Sequence, residues 1–271
     1  MGFATMTSDD DLRALIDTAH AVADAAAVET LKFFRSNSLN TENKLDQGFD
    51  PVTVADRAAE KAMRAVLQDM RPDDGILGEE FASVEGTSGL TWVLDPIDGT
   101  RGYVSGAPTW GTLVAVGDQN GPTLGLIDQP YIGERFIGGL GEAELRRGEA
   151  VTPLQTRKTR TLDQAIIFTT FPEVGTKDEG AAFHRVASTC QLTRYGTDCY
   201  AYGLLALGQI DLVIEAGLQP YDIQGPLAVV QAAGGIVTDW SGGPAHNGGR
   251  ALAAANAECH ARALELLNWS E

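Results

Sequence analysis

The stretch Trp92-Val93-Leu94-Asp95-Pro96-Ile97-Asp98-Gly99-Thr100 decides the fold of this chain. Its apolar beginning is typical of a buried strand, and the strand ends in two carboxylates. A Gly-Thr step follows, where the backbone can turn and direct N–H groups at an anion. Carboxylates at a strand end suit hard cations such as Mg²⁺, which take oxygen ligands and share them with phosphate. The stretch therefore predicts metal-assisted chemistry on a phosphorylated substrate.

Two further apolar segments lead to acidic side chains. Residues 76–80 read Ile-Leu-Gly-Glu-Glu, and residues 211–215 lead through a Gly-containing loop to Asp222. Open α/β sheets bind ligands at the carboxyl ends of their strands, so the three segments predict one shared site. Helix caps and solvated loop acids are the alternative interpretation of such residues.

The chain resembles the inositol monophosphatase superfamily in three motifs: Gly78-Glu79-Glu80, Asp95-Pro96-Ile97-Asp98-Gly99-Thr100, and Tyr221-Asp222 ahead of Ala232-Ala233-Gly234-Gly235. The resemblance implies an Mg²⁺-dependent phosphomonoesterase with a mixed α+β and α/β fold, a layered αβαβα sandwich of the sugar phosphatase type. It implies two or three Mg²⁺ ions held by Glu79, Asp95, the Ile97 carbonyl, Asp98 and Asp222. The late motif departs from the usual Trp-Asp-x-Ala-Ala, because Tyr221 stands in place of the tryptophan.

Composition restricts the partners. The formal net charge of -17 argues against nucleic acid, which needs a basic surface. No apolar run approaches membrane-spanning length, and the first residues lack the pattern of a secretory signal. The three cysteines fit no zinc pattern and suit free thiols in a reducing compartment. We therefore expect a cytoplasmic protein that acts on a small phosphorylated metabolite, with no nucleic acid or membrane partner, and the resemblance implies a homodimer.

Two regions differ in their pattern. Residues 1–150 predict two helices, from Ser8 and from Thr53 or Asp56, and then an antiparallel sheet with glycine-rich turns. Residues 151–271 alternate strand-like and helical segments, including a helix over residues 225–233, which is typical of an α/β domain. We expect most metal ligands in the first region, and the last metal ligand and the substrate contacts in the second.

No nucleophile–base pair is evident near the central motif, which favours direct attack by metal-bound water. The resemblance implies that Thr100 and Asp50 orient and deprotonate this water, beside the metal ligand Glu79. It also implies that the Gly99 and Thr100 N–H groups hold the phosphate and that Lys44 lies near the metals. A turn hydroxyl for Thr100, an Asx turn for Asp50 and a solvated lysine for Lys44 remain as alternatives.

The substrate is indicated by fewer residues. The segments 101–113 and 195–202 resemble the histidinol-phosphatase branch more than the inositol branch. Histidinol phosphate carries an ammonium and an imidazole, so acids beyond the metal ligands are expected to face it. Asp198 and Glu215 are the candidates, with Asp98 and Arg101 as further substrate contacts, although Asp198 is also placed to cap a helix. A phosphatase for inositol 1-phosphate or a related polyol ester is the second hypothesis, and a non-catalytic metal-dependent binding protein on the same fold is the third.

Overall fold

The first two helices each begin directly after an N-terminal capping residue. The structure, a computed structural model, describes residues 8–36, 41–43, 51–158 and 160–269. Helix α1 (Asp9–Phe33) begins after Ser8, whose side chain accepts a hydrogen bond from the Asp11 N–H. Helix α2 (Val54–Met70) begins after Thr53, which forms a reciprocal capping box with Asp56. These caps satisfy N–H groups that the first helical turn leaves without partners, and both predicted starts are confirmed.

The other helices are short. They are α3 (Thr100–Ser105), α4 (Lys177–Ala187), α5 (Tyr200–Ala206), α6 (Pro220–Ala232) and α7 (Ala257–Leu267). The strands are β1 (Thr41–Asn43), β2 (Pro51–Thr53), β3 (Gly75–Gly78), β4 (Thr91–Asp98), β5 (Gly111–Asp118), β6 (Gly121–Gln129), β7 (Glu134–Gly139), β8 (Glu142–Arg147), β9 (Ala150–Pro153), β10 (Ile166–Thr169), β11 (Leu192–Tyr195), β12 (Leu212–Leu218), β13 (Ile236–Thr238) and β14 (Gly249–Ala254).

The fold is built on two larger β-sheets, and the strands β1 and β2 form a separate two-stranded sheet. A seven-stranded sheet has the order β3-β4-β5-β6-β7-β8-β9, and a five-stranded sheet has the order β11-β10-β12-β14-β13. The larger sheet is antiparallel except for the parallel β3–β4 pair. In the smaller sheet β10 pairs in parallel with β11 and β12, whereas β14 runs antiparallel to its neighbours.

Apolar side chains bind these sheets into five layers. Helices α1 and α2 cover one face of the larger sheet, where Leu15 and Met63 meet Trp92. Helices α5 and α6 lie between the two sheets, and α4 and α7 cover the outer face of the smaller sheet. An amphipathic helix or sheet must bury its apolar face, and this stacking buries most of these faces. The αβαβα sandwich is therefore confirmed.

Several predicted elements need correction. Helix α6 begins at Pro220, earlier than the predicted helix over residues 225–233, so Asp222 lies in its first turn and not in a loop after a strand. Proline is favoured in the first turn of a helix, and the Asp222 carboxylate accepts a hydrogen bond from the Gln219 N–H at 2.7 Å. Strands β1, β2, β8, β9 and β14 were absent from the sequence prediction. The larger sheet ends at Pro153, and the division of the chain near residue 150 stays a prediction because α5 and α6 contact both sheets.

Candidate active site

Three carboxylates meet at one end of the central strand. Oxygen atoms of Asp95, Asp98 and Asp222 all lie within 4.8 Å of one another. The first two belong to the end of β4, where the pairing with β5 shifts register between them. The Asp95 carboxylate is held by the Ile97 N–H at 3.0 Å, and α6 delivers Asp222 from between the sheets. The predicted cluster of these three acids is therefore present.

Glu79 reaches the same cluster through strand pairing. Strands β3 and β4 run parallel, so their carboxyl ends meet at one edge of the sheet, and the Glu79 N–H donates to the Leu94 carbonyl at 3.2 Å. The loop that carries Glu79 is fixed from behind by Glu60, which accepts a hydrogen bond from the Glu80 N–H at 2.6 Å. Glu60 is fully buried and is paired with Arg64 at 2.7 Å. Sequence analysis missed Glu60, which lies on the buried face of α2.

The electrostatics of this cluster favour a cation. Burial, followed by Glu79, Asp98 and Asp222, raises the pKa of Asp95 well above its usual range. Burial, followed by Asp198 and Asp222, does the same for Asp98. Carboxylates in this arrangement repel one another unless protons or a positive ion neutralise them. Carboxylate oxygens are the ligands that Mg²⁺ takes in proteins, so the donor set fits this ion.

The Gly-Thr step forms a tight turn beside the acids. Gly99 has a φ of 82°, in the left-handed region that glycine adopts without strain, and α3 starts directly after it. The Thr100 hydroxyl donates to the Ile97 carbonyl at 3.0 Å. That bond is the turn-hydroxyl alternative of the sequence analysis, yet Thr100 also lines the pocket that the acids share. Thr100 and the Ile97 carbonyl are thus both at the site.

The pocket extends beyond the acid cluster and has a volume of about 390 Å³. Asp198 and Glu215 line its other part. Asp198 does not cap α5, since Cys199 is in the N-cap position and no side chain caps this helix. Its backbone has a φ of 45°, and the next residue, Cys199, donates its N–H to Asp98 at 2.6 Å. Left-handed backbone at a non-glycine residue is held only by its surroundings and is frequent at functional sites.

Glu215 is held by the end of β10. Its carboxylate accepts hydrogen bonds from the Thr170 N–H at 2.7 Å, the Thr170 hydroxyl at 3.0 Å and the Thr169 hydroxyl at 3.2 Å. Burial raises the pKa of Glu215 to about 7, although these hydrogen bonds oppose the shift. Burial also raises the pKa of Asp198 to about 6, and the charge of Arg101 opposes this shift. A cation bound beside either acid would therefore stabilise its charged carboxylate form.

A few candidates fall outside this geometry. Asp50 and Lys44 lie outside the described residues, so their roles stay predictions. Tyr103 and Trp110, two aromatic residues of the segment 101–113, are buried in a core cluster and do not line the pocket. Phe171 and Thr170 line the pocket but were not singled out in the sequence, because their chemistry becomes visible only when β10 is placed beside β12.

Comparison with known proteins identifies this arrangement. The sequence model of the inositol monophosphatase family matches residues 11–269. The chain belongs to the inositol monophosphatase family. It is accordingly a phosphatase of this metal-dependent family, and its structure contains the acid cluster described above.

The chain is similar to two proteins in sequence and to one solved structure, as follows. The chain is 38% identical over 97% of its length to the bifunctional phosphatase IMPL2 of Arabidopsis thaliana, of which it covers 77%. It is 36% identical over 96% of its length to the histidinol-phosphatase of Streptomyces coelicolor, of which it covers 97%. A solved structure of an inositol monophosphatase from Zymomonas mobilis is 37% identical and has a TM-score of 0.80, with 97% of this chain and 99% of that chain covered. Among the described helices, none has the length and apolar character needed to cross a bilayer.

Proposed function

We propose that this phosphatase hydrolyses L-histidinol phosphate to L-histidinol and inorganic phosphate in an Mg²⁺-dependent reaction. One observation carries the substrate: the pocket holds two acids, the half-buried Asp198 and the buried Glu215, beyond the three that cluster at the proposed metal site. A carboxylate removed from water is stabilised when it pairs with a cation. The leaving alcohol of histidinol phosphate carries an ammonium group and an imidazole, so this end of the pocket complements it.

The metal end of the pocket is proposed to hold two or three Mg²⁺ ions. Glu79, Asp95, Asp98 and Asp222 would supply carboxylate oxygens, and Ile97 would supply its backbone carbonyl. When bound, Mg²⁺ neutralises the acids and the phosphate, acidifies water and stabilises the departing alkoxide. The carboxylates otherwise repel a phosphate dianion, so the proposed substrate requires the ion for binding as well as for chemistry.

The turn at Gly99 is proposed to hold the phosphate through its own N–H and that of Thr100. In the reaction a water oxygen forms a bond to phosphorus while the ester P–O bond breaks, and the water proton must be accepted nearby. The Thr100 hydroxyl donates its hydrogen to the Ile97 carbonyl at 3.0 Å, so its oxygen lone pairs are available to accept a hydrogen bond from the attacking water. Asp50 is the proposed partner of Thr100 in taking the proton.

The alcohol end is proposed to use Asp198, Glu215 and a further contact from Asp98, and Arg101 is a further proposed contact of the substrate. Glu215 does not by itself distinguish an ammonium group from a sugar hydroxyl, since both donate hydrogen bonds to a carboxylate. The inositol monophosphatase of Zymomonas mobilis supports a polyol ester as the second candidate, whereas the histidinol-phosphatase of Streptomyces coelicolor supports the first. A further acid at Asp198 favours the cationic substrate.

The deciding experiment measures phosphate release from L-histidinol phosphate and inositol 1-phosphate, each with Mg²⁺ and with EDTA. We expect an Mg²⁺-dependent preference for L-histidinol phosphate. In the Asp198→Asn variant this preference should shrink, with a rise in KM confined to the cationic ester. Equal or better turnover of inositol 1-phosphate by the wild type would refute the substrate assignment while leaving the phosphatase assignment intact. Release of no phosphate from either ester would refute both proposed substrates.

The cellular location, the partners and the oligomeric state of the protein are also proposals. A net charge of -17 supports the expectation of no nucleic acid partner, and the free cysteines support a cytoplasmic location. A homodimer with no membrane partner remains our expectation. Sedimentation equilibrium would test the dimer directly, since a mass of 28.7 kDa is expected for one chain.

A further inference from the structure

An exposed aromatic ring forms part of the wall of the pocket. Phe171 follows directly after Thr170 at the end of β10, and 43% of its surface is exposed. Its ring lines the same pocket as Asp98 and Asp222. The guanidinium carbon of Arg101 lies 4.8 Å from the centre of this ring. A guanidinium over an aromatic face is a favourable cation–π contact, so this wall already holds a planar cation.

The backbone that carries this ring is anchored to the buried acid Glu215. Thr170 donates two hydrogen bonds to one oxygen of Glu215, from its N–H and its hydroxyl. Because Phe171 is the next residue, its backbone is held within one residue of that anchor. An apolar side chain gains nothing from exposure, and here a large ring is exposed beside a site lined mostly by polar groups. The ring is therefore available to a ligand in the pocket.

Asp198 supplies a carboxylate to the same corner. A methyl group added to Gly99 would lie 2.8 Å from the Asp198 carboxyl carbon, so this carboxyl group packs directly on the turn before α3. Arg101 extends from the first turn of α3, and its charge interacts favourably with Asp198. An aromatic face, a carboxylate and a planar cation are thus brought together by three separate segments of the chain.

From this juxtaposition we infer that the corner between Phe171 and Asp198 is a subsite for a planar cation of the ligand, and that Arg101 fills it in this structure. Phe171 is then a specificity-determining residue that selects phosphate esters whose alcohol carries a flat, positively charged or protonatable ring. The inference rests on the proposed function, because the imidazole of L-histidinol is such a ring. It adds the ring surface and the displacement of Arg101, neither of which the hydrolysis itself requires.

The inference includes a second position for Arg101. Arg101 lies two residues after Gly99 in the turn proposed to hold the phosphate. Rotation about its side-chain bonds can carry the guanidinium away from Phe171 towards the phosphate. A ligand ring that enters the corner would therefore exchange one planar cation for another and would release Arg101 to the opposite charge of the phosphate.

The first test measures binding of L-histidinol by calorimetry in the presence of Mg²⁺, in the wild type and in two variants at Phe171. Phe171→Leu keeps apolar bulk but removes the π face, whereas Phe171→Tyr retains it and serves as the matched control. We expect Phe171→Leu to weaken L-histidinol binding about tenfold, the range of a partly desolvated cation–π contact. Phe171→Tyr should stay close to the wild type. Thermal melting of each variant reports whether it is folded.

A second variant tests the exchange. Arg101→Gln removes the competing cation, so L-histidinol should bind more tightly than to the wild type, while inhibition by inorganic phosphate should weaken. Weaker binding of both ligands would overturn the exchange, because Arg101 would then hold the ligand and not give way to it.

The outcomes separate this inference from the proposed function. If Phe171→Leu binds L-histidinol as well as the wild type does, or if the wild type does not bind it, the subsite is refuted. If L-histidinol binding depends on the ring but L-histidinol phosphate is not hydrolysed, the subsite stands and the proposed substrate fails. If the ester is hydrolysed with the same KM by the wild type and Phe171→Leu, the proposed function stands and the subsite fails.

Discussion

The Asp98→Asn substitution tests two effects of the acid cluster separately: its contribution to phosphate release, and the charge repulsion by which it lowers the stability of the folded protein. Carboxylate oxygens of Asp98, Asp95 and Asp222 lie within 4.8 Å of one another. At an effective dielectric of 20, two unit charges at such a separation repel by about 3 kcal/mol. Replacement of one carboxylate by an amide removes two of these repulsions from the metal-free protein. The amide oxygen retains the shape needed to accept the hydrogen bond from the Cys199 N–H, which now measures 2.6 Å.

The full Coulomb sum is an upper limit, because a buried acid can take up a proton and avoid the repulsion. We therefore expect Asp98→Asn to raise the free energy of unfolding at pH 8 in EDTA by about 1–3 kcal/mol, and Tm by about 5 °C. In Mg²⁺ the order should reverse, since ligand binding to the native state stabilises only the protein that retains the full ligand set. Phosphate release should fall by at least about a thousandfold, because the amide cannot help neutralise the cation.

The assay combines thermal melting in EDTA and in Mg²⁺ with phosphate release. Asp73→Asn is the matched control, because it makes the same change of charge at an exposed position. The control should shift Tm by less than about 1 °C in either buffer, as surface charges contribute little. An Asp98→Asn protein that Mg²⁺ stabilises as strongly as the wild type, or that retains near wild-type activity, would refute the metal assignment.

Three other substitutions test separate parts of the molecule. Gly99→Ala forces a side chain into a backbone with a φ of 82° and places Cβ 2.8 Å from the Asp198 carboxyl carbon. We therefore expect a loss of about 1–3 kcal/mol in the free energy of unfolding and a fall in kcat, measured by thermal melting and phosphate release. A wild-type kcat would contradict the proposed phosphate turn. Burial, followed by two nearby arginines, lowers the pKa of His20 to about 4, from 6.5 in the unfolded chain. The stability from neutral His20 is therefore complete above pH 6.5 and is lost as the pH falls towards 4. In urea denaturation, His20→Gln should reduce the change in unfolding free energy over this pH range by about 1–2 kcal/mol, after allowance for solvent screening. An unchanged pH dependence would contradict this prediction. Gly125→Ala would press a methyl group against the Gly225 carbonyl of α6, and we expect at least about 2 kcal/mol of destabilisation in urea; a stability equal to that of the wild type would show that the layers are less tightly packed than described.

Local signals explain the features that were predicted correctly. Ser8 and Thr53 cap helices through bonds within three residues of themselves, so the sequence alone determines where α1 and α2 begin. The apolar run before Asp95 predicts a buried strand for the same reason, since a strand of this kind is identified by its own composition. Asp95 and Asp98 lie at the end of one strand, and their proximity follows from their spacing.

The first turn of α6 was misassigned because its signals conflict. Gly225 and Pro226 weaken the helical pattern, and Pro226 cannot donate a backbone hydrogen bond inside a helix. The helix nevertheless extends back to Pro220, because burial of its apolar residues between the two sheets outweighs local preference. The five missed strands, β1, β2, β8, β9 and β14, have three to six residues each. Strands β8 and β9 lie towards one edge of the larger sheet, where few buried apolar residues mark them.

The sequence by itself determined the layered fold, the acids of the cluster and the turn beside them, because these depend on local pattern and on three motifs that resemble one family. Only the tertiary structure decided how the pocket is completed. The Cys199 N–H meets Asp98 across 101 positions of the chain, and Phe171 meets Arg101 across the gap between the two sheets. Such contacts depend on how whole helices and sheets pack, and no local stretch of sequence records the distance between segments that meet only after the layers have stacked.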